Sequence, residues 1–368
     1  MSAVNLSSAM RRWTVWVPLV AVVALVLSWG RDLPLLAVVA VAVCLAGAVL
    51  AAVHHAEVVA HRVGEPFGSL VLAFAVTVIE VALIVTLMAD GGDKSASLAR
   101  DTVFAAVMIT CNGIVGLSLL VAALHNRVAV FNAEGSGAAL ATVATLATLS
   151  LVLPTFTTSR PGPEFSPAQL TFAAVASLGL YGLFVAVQTV RHREYFLPVS
   201  RHGGPPHEAD DHGEAPGRSA ALLSLGLLVV ALVAVVGDAK AVSPTIESGV
   251  ASAGLPHAVV GVVIALLVLL PETLAAVRAA RRDLVQRSLN LALGSAMASI
   301  GLTIPAIALA TIWLEGPLLL GLSATHMVLL ALTVVVGALT VVPGRATLLQ
   351  GGVHLAILAA YVFLAISP

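Results

Sequence analysis

Glu80 and Glu272 each stand alone in an apolar stretch, VLAFAVTVIEVALIVTL around the first and VVGVVIALLVLLPETLAAV around the second, one in each half of the chain. An ionised carboxylate near a bilayer centre costs about 2.5–3.5 kcal/mol on insertion scales, so acids kept at that depth usually line an ion or proton path. Two of them form the core of a site that takes either a cation or protons. Thr77 lies one turn before Glu80, and its hydroxyl can turn toward the same ion. Pro271 precedes Glu272; its missing N–H and its ring free the carbonyl near Leu267. A freed carbonyl beside a carboxylate suits a hard cation such as Ca²⁺, which binds through oxygen.

The helices that follow add polar groups: Asn112 in MITCNGIVG, and Asn290, Ser295 and Ser299 in SLNLALGSAMAS. Their amides and hydroxyls could complete an oxygen shell. Small residues serve helix–helix contacts equally well, so Ser295 and Ser299 fit both readings, while the bulkier Asn112 fits the site better. Glu57, Glu65 and His61, with His54 and His55, precede the first acidic helix and read as a solvated interfacial segment or as an ion-sensing vestibule. Residues 193–218 hold His202, His207, His212, Glu208, Asp210, Asp211 and Glu214 among glycines and prolines. That composition reads as a disordered linker, with cation or pH sensing as the alternative. His257, His326 and His354 read as packing histidines, with a proton relay as the alternative.

The elements that must position these residues follow from composition. Of 368 residues, 59% are apolar and only 10% charged, with mean hydropathy +1.04. A soluble chain carries about 25% charged residues, so this is an all-α polytopic membrane protein. Cys44 and Cys111 fall inside apolar runs and read as small hydrophobes rather than a disulfide. No basic patch points to nucleic acid. Apolar runs at about 13–30, 34–53, 69–89, 101–125, 136–156, 167–191, 219–237, 255–280, 287–313, 317–341 and 346–367 predict about eleven transmembrane helices. The first run ends in LSWGRDLP, without small-residue cleavage chemistry, so residues 1–33 read as a retained extra helix. Residues 34–192 and 219–368 then hold five helices each, joined by the linker at 193–218. An odd number per half makes the halves enter the membrane from opposite sides, and inverted repeats of this kind place transport sites at the midplane. Glu80 and Glu272 occupy the second helix of each repeat, so the symmetry predicts that they face each other. With the N-terminus cytoplasmic and the C-terminus external, thirteen of the 18 Lys and Arg fall inside, as the positive-inside rule favours. The predicted location is a bacterial plasma (inner) membrane, crossed many times.

The stretch AEVVAHRVGEPFGSLVLAFAVTVIE, with Glu57, Arg62, Gly64, Glu65, Gly68 and Glu80, resembles the first repeat of the cation/proton exchanger branch of the calcium:cation antiporter superfamily. PETLAAVRAARRDLVQRSLNLALGSAMASI resembles its second repeat through Glu272, Gly294 and Ser295, and Asn112 matches the asparagine after the Gly-Ser turn of repeat one. Wording, length and helix count are most similar to the bacterial ChaA-type calcium/sodium/potassium:proton antiporters. The resemblance implies secondary active export of Ca²⁺ and/or Na⁺ and K⁺ in exchange for H⁺ by alternating access, with Glu80 and Glu272 holding the metal ion. It implies no cofactor and no enzyme activity, with inorganic cations, protons and the lipid bilayer as partners; a homo-oligomer stays open. Val76-Thr77 and Val268-Leu269 stand where the family has Gly-Asn, and Ala298 stands where it has glutamine. The shell therefore has fewer side-chain oxygens, which suits Na⁺ or K⁺ as well as Ca²⁺. A passive cation channel and an intramembrane enzyme are the rival readings. The first needs a continuous polar pore and the second a base near Ser295 or Ser299, and neither pattern is visible; nor is a phosphate loop or zinc motif.

Overall fold

The computed structural model describes residues 3–31, 33–64, 67–91, 96–199, 216–256, 258–313 and 316–367. Glu65, the histidine- and acid-rich stretch 200–215 and His257 lie outside the described residues. The order is α1 (Ala3–Ser28), α2 (Leu35–Val63), α3 (Phe67–Gly91), α4 (Leu98–Met108), α5 (Val115–Asn126), α6 (Ala133–Ala147), α7 (Pro167–Ala186), α8 (Arg218–Ser252), α9 (Ala258–Arg281), α10 (Val285–Ala310), α11 (Ala324–Val341) and α12 (Leu348–Ile366). A π-helical segment, Ile109–Ile114, joins α4 and α5 into one rod. Among the described residues nine such rods are long and apolar enough to cross a membrane, and Trp13–Ser28 of α1 and Phe74–Ala89 of α3 are shorter apolar stretches. The chain is therefore an all-α membrane protein, with a helix at every predicted span.

Local signals set several ends. Ser166 and Gln169 form a capping box at α7 with Pro167 in its first turn, and Asn132 accepts from Gly135 N at the start of α6 (3.0 Å). Four boundaries depart from the hydropathy reading, the first being α1, which begins at Ala3 rather than 13. α2 continues to Val63 rather than 53, α8 continues through Gly237 to Ser252, and α11 starts at Ala324 rather than 317. Hydropathy reports where apolar surface ends, whereas the i→i−4 hydrogen-bond ladder continues through polar turns. Asp238 and Lys240 consequently lie inside α8 and not in a loop. Residues 317–323 are held off the helix by backbone bonds: Leu319 N to Ala96 O (3.0 Å), Gly321 N to Pro163 O (3.0 Å) and Leu322 N to Leu151 O (2.8 Å).

The residues group into two compact units, each drawing helices from both halves of the chain. The first holds α1, α2, α3 and α8. α2 packs along α8, with Val38 and Val41 near its start against Val242 in the later part of α8, and α1 lies on both. Glycines make room for α1: a Cβ on Gly47 would come 2.9 Å from Val17 Cγ1, and one on Gly237 would collide with Leu25. Pro18 has no N–H, so the Thr14 carbonyl lacks its intrahelical donor. His55 of α2 supplies one instead, its Nε2–H donating to Thr14 O at 2.9 Å.

The second unit holds α4–α7 and α9–α12. Its hub is the Leu98–Asn126 rod, 78% buried over its apolar window. Counting helices within each half, the third of one packs on the fifth of the other in both directions (α5 with α12, α10 with α7), and fourth meets fourth (α6 with α11). Reciprocal contacts of this kind are what a pseudo-two-fold relation between halves produces. At the α5–α12 crossing the backbones nearly touch, because a Cβ on Gly351 would lie 2.8 Å from Leu120 N and one on Gly116 would lie 3.1 Å from Gly351 O. The adjacent Gly352 has nothing within 4 Å of that position. Gly351→Ala should therefore destabilise the protein by about 1–3 kcal/mol through overpacking. Gly352→Ala should be neutral or stabilising by about 0.5–1 kcal/mol, since alanine is the better helix former. Thermal unfolding in detergent checks the pair; equal effects would contradict the backbone-to-backbone crossing.

Candidate functional site

α3 is apolar on nearly every face, so its inward side is set by packing rather than by sequence pattern. Val76, Ile79, Glu80, Leu83, Ile84 and Leu87 form a buried stripe at helical spacing, with Ala75 and Thr77 buried beside it, while Phe74 is exposed. Glu80 is 5% exposed and lies within that stripe; Thr77, also 5% exposed, is three residues back on the same side. α9 repeats the arrangement. Gly261, Ile264, Ala265, Val268, Leu269, Glu272, Ala276 and Ala280 form its buried stripe, and Val263, Leu266, Leu270 and Leu274 point outward. Glu272, 8% exposed, is thus an inward acid that does not snorkel to an interface. Pro271 sits inside α9, so the Leu267 carbonyl has no N–H four residues on.

α9 is packed on by α4, α5, the π-helical segment, α10 and α12. Gly261 lets α9 reach the backbone of Asp101 and Thr102 on α4. The Ser288 hydroxyl donates to the Ala276 carbonyl, tying the first turn of α10 to α9. In that antiparallel register the Ala292–Ser295 turn of α10 lies near the level of Glu272. Ser295 is half-buried there, and Ser299, one turn further, is buried.

The two asparagines are engaged in other contacts. Asn112, in the π-helical segment, is fully buried; its Nδ2 donates to Thr333 Oγ1 (2.9 Å) and its Oδ1 meets His354 Nδ1 (3.1 Å). An amide oxygen only accepts, so Nδ1 carries the proton and Nε2 accepts from the Thr340 hydroxyl (3.2 Å). Thr333 in turn donates to Leu329 O (2.8 Å). The chain Thr340–His354–Asn112–Thr333 stitches the central rod to α11 and α12 with every donor placed. Asn290, half-buried, accepts from Gln286 Nε2 (2.8 Å) and donates to Phe196 O (2.6 Å), while Gln286 Oε1 accepts from Asn132 N (2.6 Å). Of the vestibule residues, Glu57 and His61 are exposed on the last turns of α2, whereas His55 is buried in the α1 contact. Among the described residues, no three His, Cys, Asp or Glu side chains converge.

The model of the "Sodium/calcium exchanger protein" family matches residues 33–190 and 223–367. The chain belongs to that family. It is a secondary active cation exchanger. It is 45% identical over 361 residues to y4hA of Sinorhizobium fredii, named as an ionic transporter, covering 97% of this chain and 96% of that one. It is 35% identical over 349 residues to the sodium-potassium/proton antiporter ChaA of Escherichia coli, covering 94% and 93%. Its fold matches native YfkE with TM-score 0.70 at 15% identity, covering 97% of this chain and 99% of that one. It matches the H⁺/Ca²⁺ exchanger CAX with TM-score 0.69 at 13% identity, covering 94% and 86%.

The exchanger holds buried polar groups that the sequence reading passed over. Thr333, Thr340 and Gln286 are ordinary polar residues in sequence and become partners only through packing. Asp238 was hidden because the polar run DAKAVSPTIES looks like a loop, yet α8 carries it through the first unit. The Asn112–His354 pair yields a measurable expectation. Asn112→Leu leaves a buried imidazole N–H and the Thr333 hydroxyl short of a partner, costing about 1–3 kcal/mol. A double-mutant cycle with His354→Leu should give a coupling of about 0.6–1.7 kcal/mol, the range for hydrogen bonds between membrane helices. Additive losses in thermal unfolding would show that the pair is not a hydrogen bond.

Proposed function

We propose that this exchanger exports Na⁺, K⁺ and Ca²⁺ against proton entry, with Glu80 and Glu272 as the carboxylates that bind either cation or protons. The observation that carries the reading is the inward placement of both acids, 5% and 8% exposed, within the apolar stretches of α3 and α9 in a member of the sodium/calcium exchanger family. Burial in that setting makes the ionised form of each acid costly, and a bound cation or proton offsets its charge. Competition for the same oxygens couples the two fluxes, and alternating access moves whichever load is bound. The candidate further oxygens are Thr77 on the helix of Glu80, and the Leu267 carbonyl, Ser295 and Ser299 on α9 and α10, few enough to accept monovalent ions. The 35% identity to a sodium-potassium/proton antiporter supports the same preference. Asn112 and Asn290 contribute as supports, since their amides already bond to Thr333, His354, Gln286 and Phe196. Exchange of two protons for one Ca²⁺ leaves the charge of the two carboxylates balanced.

The domain reading is an extra helix at 1–33, repeats at 34–192 and 219–368, and a cytoplasmic linker at 193–218, in a bacterial inner membrane with the N-terminus inside. In proteoliposomes under an imposed pH gradient, Na⁺ and K⁺ should each dissipate the gradient at lower concentration than Ca²⁺. Glu80→Gln and Glu272→Gln should each abolish cation-driven proton movement while leaving the folded yield unchanged. Full exchange in either variant would end the scheme, and cation flux that ignores the pH gradient would point to a channel instead.

A further inference from the structure

α8 carries an acid that this exchange scheme does not use. Asp238 is fully buried, and among the described residues neither of its carboxyl oxygens has a hydrogen-bond partner. It belongs to the buried stripe Ala231, Ala234, Val235, Val242 of α8, so it faces the packed interior of the first unit. Every element around it offers little to a charge. From α1, Leu25 presses on the neighbouring Gly237, and the Ser28 hydroxyl is spent on the Leu25 carbonyl (3.0 Å). From α2, the Cys44 thiol is the titratable group within electrostatic reach. On α8 itself, Lys240 is exposed two residues on and has its own interaction.

An ionised carboxylate that no protein donor reaches is a costly arrangement for a buried acid, whereas a protonated one carries no charge. We infer that Asp238 is a proton-binding site, separate from Glu80 and Glu272, that holds its proton while α1, α2 and α8 are packed and releases it when that packing opens. The step is a simple protonation: water supplies the proton, an O–H bond forms on the carboxylate, and the same proton returns to water on opening. α1 acts as the cover, and it lies outside the segments that match the exchanger family.

Infrared difference spectroscopy of the purified full-length exchanger in lipid nanodiscs tests this without measuring transport. At neutral pH exposed carboxyls are ionised, so a carbonyl-stretch band of a protonated carboxyl reports a buried acid. The band should persist in the E80Q/E272Q chain, and Asp238→Asn in that background should remove it. Proton release on shifting to alkaline pH should fall by one per chain in the same variant. A band unchanged by Asp238→Asn, or absent already in the E80Q/E272Q chain, would overturn the inference. Asp238→Leu, which needs no hydrogen bond, gives the same comparison if the asparagine variant folds poorly. Because the readout is independent of cation flux, a failed antiport scheme and a failed proton site remain distinguishable.

Discussion

The cost of a bare charge in an apolar interior governs this molecule. With 10% charged residues, nearly every acid and base can be left at a helix end, and the few that enter the helices need compensation there. Among the described residues Glu80, Glu272 and Asp238 enter mid-helix and lie on inward stripes, while Asp101, buried in the first turn of α4, is paired with Arg100. In the exchange scheme proposed above, such placement turns an electrostatic liability into a binding property.

The same accounting shapes the neutral polar groups. Pro18 leaves a carbonyl without its helical donor, and a histidine from α2 supplies one. Asn112 sits where the central rod loosens into a π-helical segment, and its amide bonds to Thr333 of α11 and His354 of α12 as well as to Met108 of its own rod. Local π-helical geometry is common at functional positions because it re-aims a side chain out of the usual register. Here it aims an amide into a chain of donors and acceptors that holds the wall of α9 in place. Hydrogen bonds between membrane helices are individually modest, so that wall depends equally on the glycine crossings where backbones meet.

The arrangement of contacts shows how a duplicated, inverted chain builds one protein. Third helices pack on fifth helices of the opposite half, fourth on fourth, and first on first, while α1 is added over the first pair. No compact unit belongs to one half alone. The repeats are therefore units of sequence and topology, whereas the packed bodies are mixed.

Composition and apolar run length by themselves determined the membrane class, the presence of eleven helices and the two singular acids, because burial in lipid demands about 20 apolar residues per crossing and tolerates few charges. What only tertiary structure decided was direction and partnership. α3 and α9 are apolar nearly all round, so which side of each faces inward is set by neighbouring helices. An isolated amide such as Asn112 must be satisfied somewhere, and its partners, Thr333 and His354, are more than 200 positions away. Asp238 was illegible for the opposite reason. Polar residues at a helix end resemble a loop in hydropathy, and only the continued hydrogen-bond ladder of α8, covered by α1, carries that acid into the interior.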